Sequence, residues 1–195
     1  NMAKKSNRNT RGRIVSAAWK LFYEQGYEDT TVEEIIELSG TSKGSFYHYY
    51  DGKDALLSTL SSLFDEKYEE LTGLLTPEMT AMEQLLFLNR ELFHMIEDSI
   101  SLDLLARLYS TQLTTNGEKH LLDHNRIYYK LLRKIIAKGQ AEGQLSSRSN
   151  VNEMVKLYAL CERALLYDWC LCAGEYALTE YSAKVLPGFL SSFLP

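Results

Sequence analysis

Residues 31–50 read TVEEIIELSGTSKGSFYHYY, and the rest of the chain is organised around them. Thr31 with Glu34 three residues on is a capping box, which satisfies the free backbone donors of a helix start. Val32, Ile35 and Ile36 supply the apolar stripe of a short helix. Gly40 ends it, because glycine takes a left-handed cap without steric cost, and Ser42 is placed to cap a second helix. In that helix Phe46, Tyr49 and Tyr50 share one face and pack inward. Lys43, Gly44, Ser45, Tyr47 and His48 stay outside. Such a face suits a DNA major groove: lysine reaches phosphate or guanine, small residues allow close approach, and an aromatic edge meets a thymine methyl. The spacing therefore predicts a helix-turn-helix with its later helix as the reading element.

The flanking residues extend the pattern. Arg13-Ile14, Ala17-Ala18, Leu21-Phe22, Gly26-Tyr27 and Thr30-Thr31-Val32 precede it, and Lys53 and Leu56-Leu57 follow. Together with Ile35, Gly40 and the run Ser42 to Tyr50, they make residues 10–57 resemble the DNA-binding domain of the tetracycline-repressor-like (TetR) family of bacterial transcriptional regulators. Ile36 and Ser39 stand where that family usually has alanine, and Asp51-Gly52 is an unusual turn. The resemblance implies a homodimer on a palindromic operator, a repressor more often than an activator, released by a small-molecule effector. The DNA-facing set is then Thr31, Ser42, Lys43, Gly44, Ser45, Tyr47, His48 and Lys53.

Charge agrees. The chain carries a net charge of -5 over 195 residues, yet residues 1–20 hold six basic side chains and no acid. Basic charge thus gathers at the amino end, as an electrostatic footprint on phosphate requires. Residues 1–8 read as a disordered tail, and Asn1 ahead of Met2 as the remnant of an expression tag. The amino end has no apolar core and is no signal peptide. The most apolar stretch, 157–173, is interrupted by Glu162, Arg163 and Asp168, so it does not read as a membrane span. Cys161, Cys170 and Cys172 are odd in number, which fits buried thiols in a reducing cytoplasm.

The chain reads as helix throughout, an all-α protein in two parts: residues 1–53 as the DNA-binding domain, and 54–195 as a helical effector-binding and dimerisation domain. A first helix is expected from about Thr10 to Gln25. Lys53 opens a long helix through Leu56, Leu60, Phe64 and Leu71, the natural mechanical link to the rest. Further helices are expected from Thr80 to Glu97, Leu102 to Leu113, 118 to 142 after the polar break Thr114–Gly117, Asn150 to Ala173, and Thr179 to Leu194 with a kink at Pro187. Of the last two, the first is apolar around most of its girth and the second carries an apolar stripe, which suits helices shared with a second copy. Leu165, Trp169, Tyr181, Val185, Phe189 and Phe193 are the expected interface. By the resemblance the middle region encloses the effector, and His94, Arg107, Tyr109, Tyr128, Tyr158 and Glu162 are its candidate polar lining.

Two other classes compete with this reading. His120 and His124 stand i, i+4 with Asp123 beside them, a spacing that binds metal on a helix but here lacks a third ligand. No H-E-x-x-H, phosphate loop or serine elbow is present, so the sequence predicts neither an enzyme nor a cofactor. A helical interaction module without DNA binding is the other alternative.

Overall fold

A computed structural model describes residues 2–116 and 119–195, with side chains from Thr10 onward. Among the described residues the structure is helical and contains no strand. The chain forms two compact units, residues 1–60 and Ser61–Pro195.

The first unit holds four helices: α1 (Met2–Gln25), α2 (Val32–Ser39), α3 (Lys43–Tyr49) and α4 (Lys53–Leu57). α1 begins well before Thr10, so Met2–Arg8 continue the helix instead of forming the expected tail; no glycine or proline precedes Gly12 to break it. Asn1 lies outside the described residues. Ile14, Ala18 and Phe22 bury one face of α1 against α2 and α3, whose Ile35 and Phe46 are fully buried. Gly26 turns the chain at φ 89 and Gly40 at φ 60, conformations that favour glycine. The boundary falls after Leu60, later than Lys53, because α4 is tied into this unit. Tyr27 bonds to Asp54, and Lys53 Nζ donates to the Tyr27 carbonyl at 2.7 Å.

The long helix expected from Lys53 is broken at Ser58-Thr59. Ser58 Oγ donates to the Ala55 carbonyl and Thr59 Oγ1 to that of Leu56, at 2.8 and 2.5 Å. Such hydroxyls compete with the helical ladder. Trp19 Nε1 donates to Thr59 Oγ1 at 2.8 Å and fixes the break.

The second unit contains α5 (Leu60–Thr72, all but its first residue), α6 (Ala81–Ser99), α7 (Leu102–Thr114), α8 (Ile127–Ala141), α9 (Val151–Leu171) and α10 (Leu178–Phe189). Capping boxes at Thr80 and Asn150 start α6 and α9 as their spacing predicts. The helix expected over 118–142 is also broken: a 3-10 turn at His120–Leu122 precedes α8. Asp123 Oδ1 accepts from Asn125 N at 2.9 Å, a local turn that replaces helix, while Gly117 and residue 118 lie outside the described residues. Pro187 lies inside α10, and the chain then tightens into a 3-10 turn at Leu190–Phe193. Gly139 lets α8 approach α6 closely, since a Cβ there would sit 2.5 Å from Ala81 Cβ. Among the described residues no helix is long and apolar enough to cross a membrane.

Candidate nucleic-acid interface and buried cavity

The capping box forms as expected: Glu34 N donates to Thr31 Oγ1 at 3.2 Å, and Thr31 N to Glu34 Oε2 at 2.7 Å. Ser45 N donates to Ser42 Oγ at 3.1 Å, starting α3. Phe46 and Tyr50 are buried and Tyr49 half-buried, and Arg11 Nε donates to Tyr50 Oη at 3.2 Å, anchoring the end of α3 to α1. Thr31, Ser42, Lys43, Gly44, Tyr47 and His48 are exposed, with Ser45 half-buried. Tyr47 keeps 45 % of its surface, resting edge-on against Phe46. Lys43 meets Glu33 only at 4.0 Å with both side chains largely in solvent, a pair weak enough to open for phosphate. Lys53 differs from the rest of the set. Its ammonium is held by the Tyr27 and Glu28 carbonyls and over the Tyr27 ring, so its first role is to brace α4.

A cavity of about 40 Å³ lies within the second unit. Its polar lining is Tyr68, Tyr109, Arg126, Tyr128, Glu162 and Arg163; Phe64, Leu92, Leu121 and Leu166 complete it. Three of the six sequence candidates, Tyr109, Tyr128 and Glu162, therefore come together there. Tyr158 lies beneath, fully buried, its hydroxyl donating to the Leu85 carbonyl at 2.8 Å. His94 faces solvent beside Asp98, and Arg107 pairs with Asp103 one turn back along α7. Neither lines the cavity; their i, i+4 carboxylates hold them outside. Tyr68, Arg126 and Arg163 were missed, although Tyr68 belongs to the apolar stripe of α5 and carries a hydroxyl.

Glu162 is the centre of a buried network. Tyr128 Oη donates to its Oε1 at 2.6 Å and Asn89 Nδ2 to its Oε2 at 2.8 Å. Ser182 Oγ in turn donates to Asn89 Oδ1 at 2.5 Å, so α6, α8, α9 and α10 meet on one carboxyl. Burial raises this carboxyl to about 7, against the pull of both hydrogen bonds. Arg126 is held by both oxygens of Asp65 at 3.1 Å and donates to the Ser61 carbonyl. A wider cleft of about 540 Å³ opens between α6 and α10, and Asn89 and Ser182 line it too.

The expected interface divides in two. Leu165, Trp169 and Phe193 are buried within their own chain, Trp169 Nε1 donating to the Tyr176 carbonyl, so they do not present an outer face. Tyr181 and Phe189 are exposed and Val185 half-exposed. Beside them α9 exposes Leu157, Leu160, Ala164, Tyr167 and Leu171, spaced alternately three and four apart. That spacing is the apolar seam of helices packed against a partner helix. The histidine pair at 120 and 124 does not share a helix; among the described residues no three His, Cys, Asp or Glu side chains converge as a metal site.

Residues 14–60 match the family described as bacterial regulatory proteins, tetR family. Residues 14–60 are thus a DNA-binding segment of the TetR type. The regulator QacR of Staphylococcus aureus is 34 % identical over 62 residues, 32 % of this chain and 33 % of that one. Over nearly the full length, the fatty acid metabolism regulator protein of Bacillus subtilis is 23 % identical across 178 residues, covering 89 % of this chain and 90 % of that one. The crystal structure of Thermus thermophilus FadR in complex with lauroyl-CoA aligns at TM-score 0.76 and 26 % identity, covering 95 % of both chains. The segment shared with the curated relatives of higher identity spans a third of their length or less.

Proposed function

We propose that this chain is a DNA-binding transcriptional regulator of the TetR family, a repressor, working as a homodimer on a palindromic operator in the cytoplasm. The observation that carries this is α3: Lys43, Gly44, Tyr47 and His48 face outward above a buried Phe46 and Tyr50. One short helix reads too few base pairs, and two copies read half-sites about 34–36 Å apart or a multiple of it. The seam on α9 with Tyr181, Val185 and Phe189 of α10 supports the pairing, since an aligned apolar stripe marks a partner surface where scattered apolar residues do not.

The second unit binds the effector. Supporting this are the small cavity with polar groups in its lining and the cleft, the latter of a size that takes a small molecule. Acyl thioesters are the first ligands to test, because full-length similarity runs to regulators of fatty acid metabolism and to a lauroyl-CoA complex. Selection of bound fragments from random DNA tests the whole reading: a palindrome recovered from the pool supports it, and no enrichment overturns it.

A further inference from the structure

The polar end of the effector has a chemistry that one side chain specifies. Tyr68 lines the cavity on α5, 2 % exposed, and its hydroxyl is buried without a hydrogen-bond partner. Buried hydroxyls ordinarily find partners, so an orphan facing a cavity marks a place for one. None of its neighbours accepts from it. Both oxygens of Glu162 already receive hydrogen bonds, from Tyr128 and Asn89. Tyr128 has donated its proton there, and Tyr158 donates to the Leu85 carbonyl. Asp65 is taken by Arg126.

Donors, by contrast, are in surplus. Arg163 Nη1 donates to Tyr129 Oη at 3.1 Å, and a guanidinium carries several more N–H groups. The Tyr68 hydroxyl lacks an acceptor, which the ligand brings. We infer that Tyr68, with Arg163, receives the acyl oxygen of the effector, a carbonyl or a carboxylate, while Phe64, Leu92 and Leu166 take the first apolar atoms beside it. This rests on the effector reading above. At about 40 Å³ the cavity fits a head group and not a whole effector, whose body needs the chain to open further. An amine in that place would bring a positive charge against the Arg163 guanidinium. A carboxylate would meet Glu162 as a group that takes a proton near neutrality.

The test titrates laurate, lauroyl-CoA and laurylamine against the full chain and against Tyr68→Phe by calorimetry, with melting temperature recorded for both. An acyl probe is expected to bind and laurylamine not to. Tyr68→Phe is expected to lose about five- to tenfold in acyl affinity, the effect of one hydrogen bond, with melting temperature unchanged or raised because an orphan hydroxyl has gone. Whichever of laurate and lauroyl-CoA binds tighter tells carboxylate from thioester carbonyl. Unchanged acyl affinity in Tyr68→Phe would mean the hydroxyl holds only a water, and overturns the inference with the effector reading intact. Equal binding of laurylamine overturns it too. If the parent chain binds none of the three, and none releases it from operator DNA, both readings fail together.

Discussion

Asn89 and Glu162 meet at 2.8 Å in the interior of the second unit, each almost fully buried, with Tyr128 and Ser182 completing the chain of hydrogen bonds. The carboxyl stays protonated in the fold up to about 7, whereas an ordinary glutamate ionises near 4.5. Between those values the native state binds more protons than the unfolded chain. Its contribution to stability is therefore complete below 4.5 and is lost as pH rises to about 7, a change of roughly 3 kcal/mol. Glu162→Gln loses an acceptor and destabilises at every pH, so the diagnostic is the difference. Urea midpoints are expected to fall from pH 5 to pH 8 in the parent and much less in the variant. Parallel pH profiles would contradict this.

Gly44 is not required by its own fold. A Cβ there would meet nothing nearer than Ser42 Oγ at 4.0 Å, and its φ lies outside the left-handed region. Gly44→Ala is expected to melt at the same temperature or a little higher, because alanine favours helix by up to about 1 kcal/mol. Operator affinity should nonetheless fall, as the methyl keeps the helix from the groove. Unchanged affinity would show that Gly44 does not approach DNA.

Lys53 braces α4 through the Tyr27 carbonyl and ring. Lys53→Ala should cost about 1–2 kcal/mol of stability, the loss of a charged donor to carbonyls. It should also weaken binding to all DNA sequences alike through any remaining phosphate contact. Thermal melting separates the two effects: a variant that melts normally would return Lys53 to a purely DNA-facing role.

The outer seam and the inner core of α9 give opposite predictions for neighbouring leucines. Leu160 is 49 % exposed and Leu165 6 %. Leu160→Glu is expected to fold and sediment as a monomer. Leu165→Glu should fail to fold, since it buries an unpaired charge. A dimer that survives Leu160→Glu would place the interface elsewhere.

Much of this was legible in the sequence because it depends on local signals. The Thr31–Glu34 box, the Gly40 stop and the alternation of Phe46 and Tyr50 with Lys43, Tyr47 and His48 each act within one or two turns. Long-range partners were not legible. The break at Thr59 depends on Trp19, forty positions away, and the one at Asp123 interrupts an otherwise helical run of leucines. Leu165 and Trp169 carry the same apolarity as Leu160 and Leu171; only the packing of α7, α8 and α10 around α9 decides which faces inward. The same holds for the cavity, where Tyr68 looks like any other core tyrosine until its hydroxyl is seen without a partner.

The claim on which the account turns is that α3 reads bases with its outward face. The most direct measurement is the affinity of the parent and of Tyr47→Ala for the selected operator and for scrambled DNA at one salt concentration. Loss of about 1–3 kcal/mol on the operator with little change on scrambled DNA is the predicted result. Equal affinity of the two proteins for the operator would contradict it.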